Sequence, residues 1–197
     1  MDRRIFKFER PERCIIGTIG SYPDQSYFLQ VSDGGEDVTV QMDIRQVRLI
    51  GKRIDQLLDS VSAHMNLHVA PKVTKANDQG PLHMPVDSEF FVGSIGLGWD
   101  MESLSMIIEV LDFTTLPVTA EMMMQDSEEG PDTLRISLSS AAARQFARRA
   151  LEVYAAGRPL CPMCGEPLDE EGHICARLNG YRRDLSDSQD NLADYLG

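Results

Sequence analysis

The sequence lacks any long hydrophobic run, and no stretch approaches the roughly 18 apolar residues that a membrane-spanning helix requires. The opening segment MDRRIFKFER is charged and has no apolar core of the kind found in a secretory signal peptide. Positive charge is also scarce, with 19 Lys and Arg against 31 Asp and Glu and a net charge of −12. An acidic surface repels phosphate backbones, which argues against general nucleic-acid binding. We therefore expect a cytoplasmic protein that does not associate with membranes.

Cysteine and tryptophan are rare, with four cysteines and one tryptophan among 197 residues. Three of the cysteines lie close together near the C-terminus, and in a cytoplasmic chain such a cluster indicates a metal site rather than a disulfide. Cys14 lies far away in an apolar run, where we expect a small buried hydrophobic residue. Trp99 follows an apolar run, and it is expected either to cap the core or to anchor a binding surface.

Two stretches of the chain show the same order of patterns, each with a Gly-containing run, an apolar run and a strictly alternating run. The alternating runs have the apolar-polar period of half-buried strands. The matched pairs are 15–20 with 91–96, 27–31 with 106–110, and 38–42 with 134–138. This similarity predicts an internal repeat.

Each alternating run leads into an amphipathic helical pattern. Asp43 is expected to cap the first helix, with Gln46 completing a capping box, and Ser139 or Ser140 is expected to cap the second. Gly157 and the proline that follows should end the second helix. Aligning the two units places Ile50 opposite Phe146, Lys52 opposite Arg148 and Arg53 opposite Arg149.

These patterns predict an α+β fold in which two pseudo-repeated strand–strand–strand–helix units form antiparallel sheets with packed helices, followed by a C-terminal zinc knuckle. The expected segments are a first unit at 1–64, a linker at 65–88, a second unit at 89–157 with an acidic loop at 112–133, the knuckle at 158–183, and an acidic flexible tail at 184–197. The acidic loop carries Met122, Met123 and Met124, which either fold back on the core or bind a partner.

The cysteine cluster begins with CPMCG at 161–165 and closes with HIC at 173–175. Two residues between the first cysteines let both thiolates reach one ion, and the glycine permits the tight turn that brings backbone N–H groups toward sulfur. The motif predicts a zinc ion bound by Cys161, Cys164, His173 and Cys175. Four protein ligands leave no position for water, so the site would be structural. The alternatives are a reducible dithiol with His173 as a bystander, and an iron site.

The segment CPMCGEPLDEEGHICARLNGY at 161–181 resembles the C-terminal signature of an actinobacterial family known as domain of unknown function 3090. FLQVSDGG at 28–35, VGSIGLGWD at 92–100 and the Ala/Arg-rich second helix are also similar to that family. The resemblance covers the chain up to about Arg183 and implies no particular chemistry. Such proteins tend to be encoded beside a histidine-phosphatase-like and a lipid-kinase-like protein, which implies a shared pathway.

Histidines outside the cluster offer weaker candidates. His64 and His68 lie four residues apart at the end of the first helix, but no Glu follows His64 to make an HExxH motif, so we expect a surface pair. His83 lies in the linker without an evident partner.

The predicted function is a non-catalytic, zinc-containing interaction or adaptor protein with an unidentified protein partner. Its possible contact surface comprises Arg144, Arg148, Arg149, Arg177, Arg182 and Arg183.

Two alternatives remain. A nucleic-acid-binding protein with a PUR/Whirly-like repeat plan would use an open sheet face with basic and aromatic side chains. That face would instead carry Gln30, Thr39, Gln41, Glu109, Arg135 and Ser137, with Phe28 as its one aromatic. The other alternative is an enzyme with an unrecognised site, although no combination of nucleophile, base and oxyanion donors is evident.

Overall fold

The computed structural model describes residues 3–21, 24–65, 67–114, 126–127, 129–159, 161–165, 168, 175 and 177. The chain forms two compact units, Met1–Gly157 and Arg158–Gly197. The predicted methionine cluster at 122–124 and the predicted acidic tail at 184–197 lie outside the described residues. Among the helices described, none combines the length and the apolar character needed to cross a bilayer.

The first unit is a mixed α+β structure, which confirms the predicted fold class, and the order strand–strand–strand–helix occurs twice in it. The elements are β1 (Ile5–Glu9), β2 (Arg13–Ile19), β3 (Ser26–Asp33), β4 (Glu36–Met42), α1 (Ile44–Met65), β5 (Val92–Asp100), β6 (Ser105–Asp112), β7 (Thr133–Ser139) and α2 (Ser140–Ala156). Strands β2, β3 and β4 form one antiparallel sheet, and β5, β6 and β7 form the antiparallel part of a second.

The hairpin between β3 and β4 turns at Gly34 and Gly35, whose φ angles are +56° and +86°. Two consecutive residues at positive φ are what a tight hairpin turn of this hand requires, and glycine adopts them without steric cost. The turn sets the register in which Leu29 faces Val40, so that both of these side chains lie in the core.

Strand β1 was not anticipated from the sequence. It pairs in parallel with β7, with Phe6 opposite Leu134 and Phe8 opposite Ile136. The N-terminal residues therefore belong to the sheet of β5, β6 and β7, although they precede β2 in the chain. The segment before β5 behaves similarly, because Phe91 forms an isolated parallel bridge with Gln41 of β4. Each sheet is thus extended by the segment that leads into the other sheet.

Both helices begin at the predicted caps. The Asp43 carboxylate accepts from the backbone N–H of Arg45 at 2.7 Å, and Gln46 Oε1 accepts from the backbone N–H of Asp43 at 2.9 Å. Ser139 caps α2 by accepting from the N–H of Ala142. These contacts satisfy N–H groups that a helix start leaves without intrahelical partners.

The two helices pack against each other at Gly51 and Ala147. A Cβ atom at Gly51 would lie 2.9 Å from the carbonyl oxygen of Ala147, so the helices approach closely because residue 51 has no side chain. The sequence alignment of the two predicted repeats matches Gly51 with Ala147, so the helices cross at equivalent positions of the repeats. Beneath them lies one core whose largest fully buried side chains include Ile16, Leu29, Ile50, Ile54, Leu58, Met106, Ile108, Leu134, Ile136 and Phe146.

The segment between α1 and β5 has no helix or strand over residues 67–91 but is fixed to the body of the protein. The N–H of Ala70 donates to Ser140 Oγ at 3.1 Å, and the N–H of Asn77 donates to Gln145 Oε1 at 2.8 Å. Leu82 fills the space over Gly17, where an added Cβ would lie 2.6 Å from Leu82 Cγ. The segment therefore covers part of the first sheet.

This covering corrects the expectation of an open sheet face. Gln30 is 1% exposed, and its amide exchanges hydrogen bonds with the backbone of His83 at 2.7 and 3.2 Å. On the second sheet Glu109 is fully buried, and Arg135 donates to its Oε1 at 2.7 and 3.0 Å. Gln30 and Glu109 are therefore not available to contact bases.

Candidate metal centre

The cysteine motif forms a turn at the start of the second compact unit. The N–H of Gly165 donates to the carbonyl of Cys161 at 2.8 Å, and Gly165 has a φ of +76°. A residue with a β-carbon would be strained in that left-handed conformation, so the glycine lets the chain reverse directly after Cys164. The N–H of Leu168 donates to the carbonyl of Pro159 at 2.9 Å and closes the base of this turn.

Three thiols converge at the turn. The Sγ atoms of Cys161, Cys164 and Cys175 all lie within 4.8 Å of one another, and those of Cys161 and Cys175 are 3.9 Å apart. Metal–sulfur bonds of about 2.3 Å in a tetrahedron separate the sulfurs by about 3.8 Å, so the observed spacing fits one shared ion. The cysteines are not disulfide-bonded, and Cys161 and Cys175 are buried. The cluster can therefore bind a metal ion.

The backbone prepares Cys161 for this role. The N–H groups of Cys164 and Met163 donate to its sulfur and lower the pKa of the Cys161 thiol below its usual value. Metal ligation by cysteine requires the thiolate, so a lowered pKa favours binding. The Cys-x-x-Cys-Gly spacing predicted that backbone N–H groups would donate to sulfur, and these two groups do so.

The fourth predicted ligand, His173, lies outside the described residues. Cys14 belongs to the first compact unit, where it packs against the core and burial raises the pKa of its thiol. A thiol with a raised pKa is a poor nucleophile and a poor ligand, which agrees with its expected role as a small hydrophobic residue. Within the described part of the chain, the three clustered cysteines are the one metal-ligating group.

The described arginines of the predicted contact surface are engaged in contacts within the protein. Arg144 is 4% exposed and points toward α1, where it pairs with Asp55 and Asp59 at 2.6 Å each. Arg149 donates to the backbone carbonyls of Ile16, Asp78 and Gly80, and Arg148 pairs with Glu152 at 2.9 Å. Arg177 donates to the carbonyl of Met163 at 2.9 Å within the second unit, and Arg182 and Arg183 lie outside the described residues. Arg144 is therefore removed from any exposed contact surface.

The remaining histidines do not form metal sites in the described structure. His64 is exposed near the end of α1, and its Nδ1 lies 2.9 Å from the carbonyl oxygen of Ser60 in the same helix. His83 was expected to lack a partner, but its Nδ1 lies 3.1 Å from Asp37 Oδ2 and 3.3 Å from Ser32 Oγ. Both groups approach the same ring nitrogen, whereas a catalytic relay needs the acid and the nucleophile on opposite nitrogens. Sequence reasoning missed this cluster because its members are distant in the chain.

Trp99 lies on β5 and packs against the core, which favours the first of its two expected roles. Its neighbour Asp100 accepts from the N–H groups of Glu102 and Ser103 and stabilises the turn into β6. These contacts are structural.

Comparison with known proteins identifies one family. The family model described as Protein of unknown function (DUF3090) matches residues 6–175, which include both helices and the three clustered cysteines. No curated protein and no solved structure matches the chain.

Proposed function

The chain belongs to the DUF3090 family of unknown function, and we propose that it is a non-catalytic interaction protein whose C-terminal unit is stabilised by one zinc ion. The observation that carries the metal part is the convergence of three thiols within 4.8 Å on a turn whose N–H groups favour thiolate. His173 is the proposed fourth ligand, two residues before Cys175.

Zinc is the metal that this ligand set favours. Thiolate and imidazole are its usual protein ligands in tetrahedral structural sites. An iron site with the same ligands is the competing possibility, and metal analysis separates the two directly. When bound, the ion would link the turn at 161–165 to Cys175. With four protein ligands it would have no open position for a substrate.

The interaction part rests on the chemistry of the first unit. Its described polar clusters are engaged in holding the fold: Arg144 joins the two helices, and Arg149 holds the segment before β5. A role without catalysis is consistent with side chains used in this way. Nucleic-acid binding is not favoured, because the side chains that a sheet-face binder would present are buried at Gln30, Thr39 and Glu109.

The metal proposal is tested by measuring metal content. Purified protein should contain about one zinc ion per chain by inductively coupled plasma mass spectrometry. Cys161→Ser, Cys164→Ser and His173→Ala should each reduce the zinc content strongly. Cys14→Ala is the matched control, because it removes the one cysteine outside the cluster. A wild-type zinc content far below one per chain, or iron in its place, would refute the proposal.

Cobalt substitution tests the ligand set independently of affinity. Protein refolded with Co²⁺ should show the intense visible absorption of a tetrahedral ion and a thiolate-to-cobalt charge-transfer band. His173→Ala should weaken or shift the visible bands while keeping the charge-transfer band, since three thiolates remain. Unchanged spectra in that variant would exclude His173 as a ligand.

A further inference from the structure

Helix α2 holds a stretch of its own chain, residues 76–80, along one face. The carboxylate of Glu152 accepts from the N–H of Ala76 at 3.2 Å, and Gln145 accepts from the N–H of Asn77 at 2.8 Å. Between them Arg149 donates to the backbone carbonyls of residues 78 and 80 at 3.2 and 3.0 Å. Residues spaced by four and three lie on one side of a helix, so these three side chains form a peptide-binding face.

Helix α1 presents the corresponding face. With Gly51 taken as the counterpart of Ala147, as the helix crossing indicates, the residues that match Gln145, Arg149 and Glu152 are Leu49, Arg53 and Gln56. These three side chains line a groove between α1 and β5 with a volume of about 540 Å³. Its wall also includes Leu57, Ile95 and Leu97.

Among the described residues, no segment of the chain occupies the groove on α1, whereas residues 76–80 contact the corresponding face of α2. Leu49 is 49% exposed, and Arg53 has a single hydrogen bond among the described residues, to Gln56 at 3.5 Å. Arg149, in the same position on α2, makes four such bonds. The groove thus combines an exposed leucine, a guanidinium with one hydrogen bond, and apolar residues of β5. This combination is suited to binding a peptide.

We propose that the groove between α1 and β5 binds an extended, acidic peptide segment of a partner protein, held in the manner in which α2 holds residues 76–80. Arg53 donates to backbone carbonyls of the bound segment, as Arg149 does. An apolar side chain of the segment packs among Leu49, Leu57 and Leu97. The contacts of α2 with residues 76–80 provide the template for the Arg53 contact.

Charge selects the acidic class of partner. Arg53 is the one charged residue in the lining of the groove, on a protein whose net charge is −12. A cation in the groove with no carboxylate in the lining favours a bound segment that carries carboxylates, and such complementarity raises the rate of association and fixes the register. The inference names the partner class for the proposed interaction function and rests on that function. The peptide proposal does not depend on the metal site, so an experiment can refute either the peptide proposal or the zinc proposal without refuting the other.

Fluorescence anisotropy tests the proposal with a defined probe. The probe is a labelled synthetic peptide based on residues 75–84 with Lys75 and His83 each replaced by glutamate, EANDQGPLEM, so that it is acidic, as the proposal requires, and keeps the segment that contacts α2. It should bind the full chain with saturation, and Arg53→Glu should weaken binding by about tenfold or more because a charge-assisted contact is replaced by repulsion. Circular dichroism should show that this exposed substitution leaves the fold unchanged.

Lys52→Glu is the matched control, since it makes the same charge change one residue away on α1 but does not line the groove. It should change the affinity far less than Arg53→Glu does. Equal weakening by both substitutions would reduce the effect to general charge attraction and overturn the proposal. Absence of saturable binding to the wild-type chain would overturn it as well.

Hydrogen exchange locates the bound probe and tests the other occupant. Peptide addition should slow exchange in residues 49–60 and 95–97, and slowing confined to other regions would refute the assignment. Sedimentation velocity of the chain alone addresses self-association. A stable dimer that Arg53→Glu dissociates would assign the groove to a second copy of this chain and contradict the peptide proposal.

Discussion

The guanidinium of Arg144 on α2 donates to the carboxylate of Asp55 on α1, with Nη1 2.6 Å from Oδ1. The same side chain reaches Asp59 through Nη2 and the carbonyl of Ala70 through Nε, so one buried cation joins both helices to the segment that follows α1. A cation in such a position is costly to bury and is stabilised only because each of its donors has an acceptor.

Replacing Arg144 with alanine should therefore destabilise the protein by about 2 to 4 kcal/mol, because Asp55 loses its pairing with Arg144, Asp59 keeps only Lys72, and two backbone carbonyls lose a donor. The estimate is reduced from that for a fully buried pair because both carboxylates keep contact with water. Urea unfolding measures the change. Arg148→Ala is the control on the same helix, and loss of its exposed pair with Glu152 should cost only about 0.5 kcal/mol. Equal costs would contradict the structural role assigned to Arg144.

The helix crossing predicts the effect of a substitution that normally stabilises helices. Gly51→Ala improves helix propensity by about 1 kcal/mol, but its methyl group would lie 2.9 Å from the Ala147 carbonyl oxygen. We expect a net loss of about 1 to 3 kcal/mol, since the helices must separate to admit the methyl. Ser62→Ala, on the exposed side of α1, is the control and should be neutral or slightly stabilising. A thermal denaturation series gives both values, and a stabilised Gly51→Ala would show that the helices do not touch there.

Helices, most strands and the cysteine cluster were predictable from the sequence because each depends on a local period or spacing. The caps at Asp43 and Ser139 and the register of the helix stripes follow from a few neighbouring side chains. Strand β1 was not predicted, because IFKFE is short and acquires its role only from β7, which is distant in the chain.

Polar residues were the harder part of the fold to place. Helical periodicity locates Arg144 at the edge of the apolar stripe, but only the facing helix determines whether an edge residue is solvated or paired. Gln30 and Glu109 alternate correctly with core residues, and their burial comes from irregular segments and side chains that no period describes. For the same reason, the spacing of residues in the sequence did not suggest that His83 would contact Asp37 and Ser32.

Stability at low pH should depend on Asp78. Arg13 donates to its carboxylate, with Nε 2.6 Å from Oδ2, and lowers the pKa of Asp78 to about 2. A carboxyl group whose pKa is lower in the folded state stabilises the fold above its unfolded pKa of about 3.9, and this contribution disappears as the pH falls toward 2. Because the side chain is 42% exposed, solvent screening limits the effect to about 1 kcal/mol.

The Asp78→Asn variant makes this dependence measurable. It should be less stable than the wild type at pH 7, and the difference should shrink between about pH 4 and pH 2. Introducing the substitution into an Arg13→Gln background is the control, because the largest interaction that lowers the pKa of Asp78 is already absent there, and the pH dependence should be smaller. A stability difference that stays constant over this range in the wild-type background would show that the Arg13–Asp78 contact does not form in solution.

Metal removal should expose the C-terminal unit to proteolysis, if the proposed zinc site holds it. Arg177 donates to the carbonyl of Met163 inside the cysteine turn, so its peptide bond to residue 178 is expected to resist trypsin while the turn is formed. Thiol ligands lose their common partner when a strong chelator removes the ion, and a unit that depends on metal for its folding then opens. Mass spectrometry should detect rapid cleavage after Arg177 in chelated protein and in Cys164→Ser. The Cys14→Ala variant should behave as the wild type does, and added zinc should restore protection to chelated wild-type protein. Cleavage at the same rate with and without chelator would mean that the three thiols do not organise this unit through a metal ion.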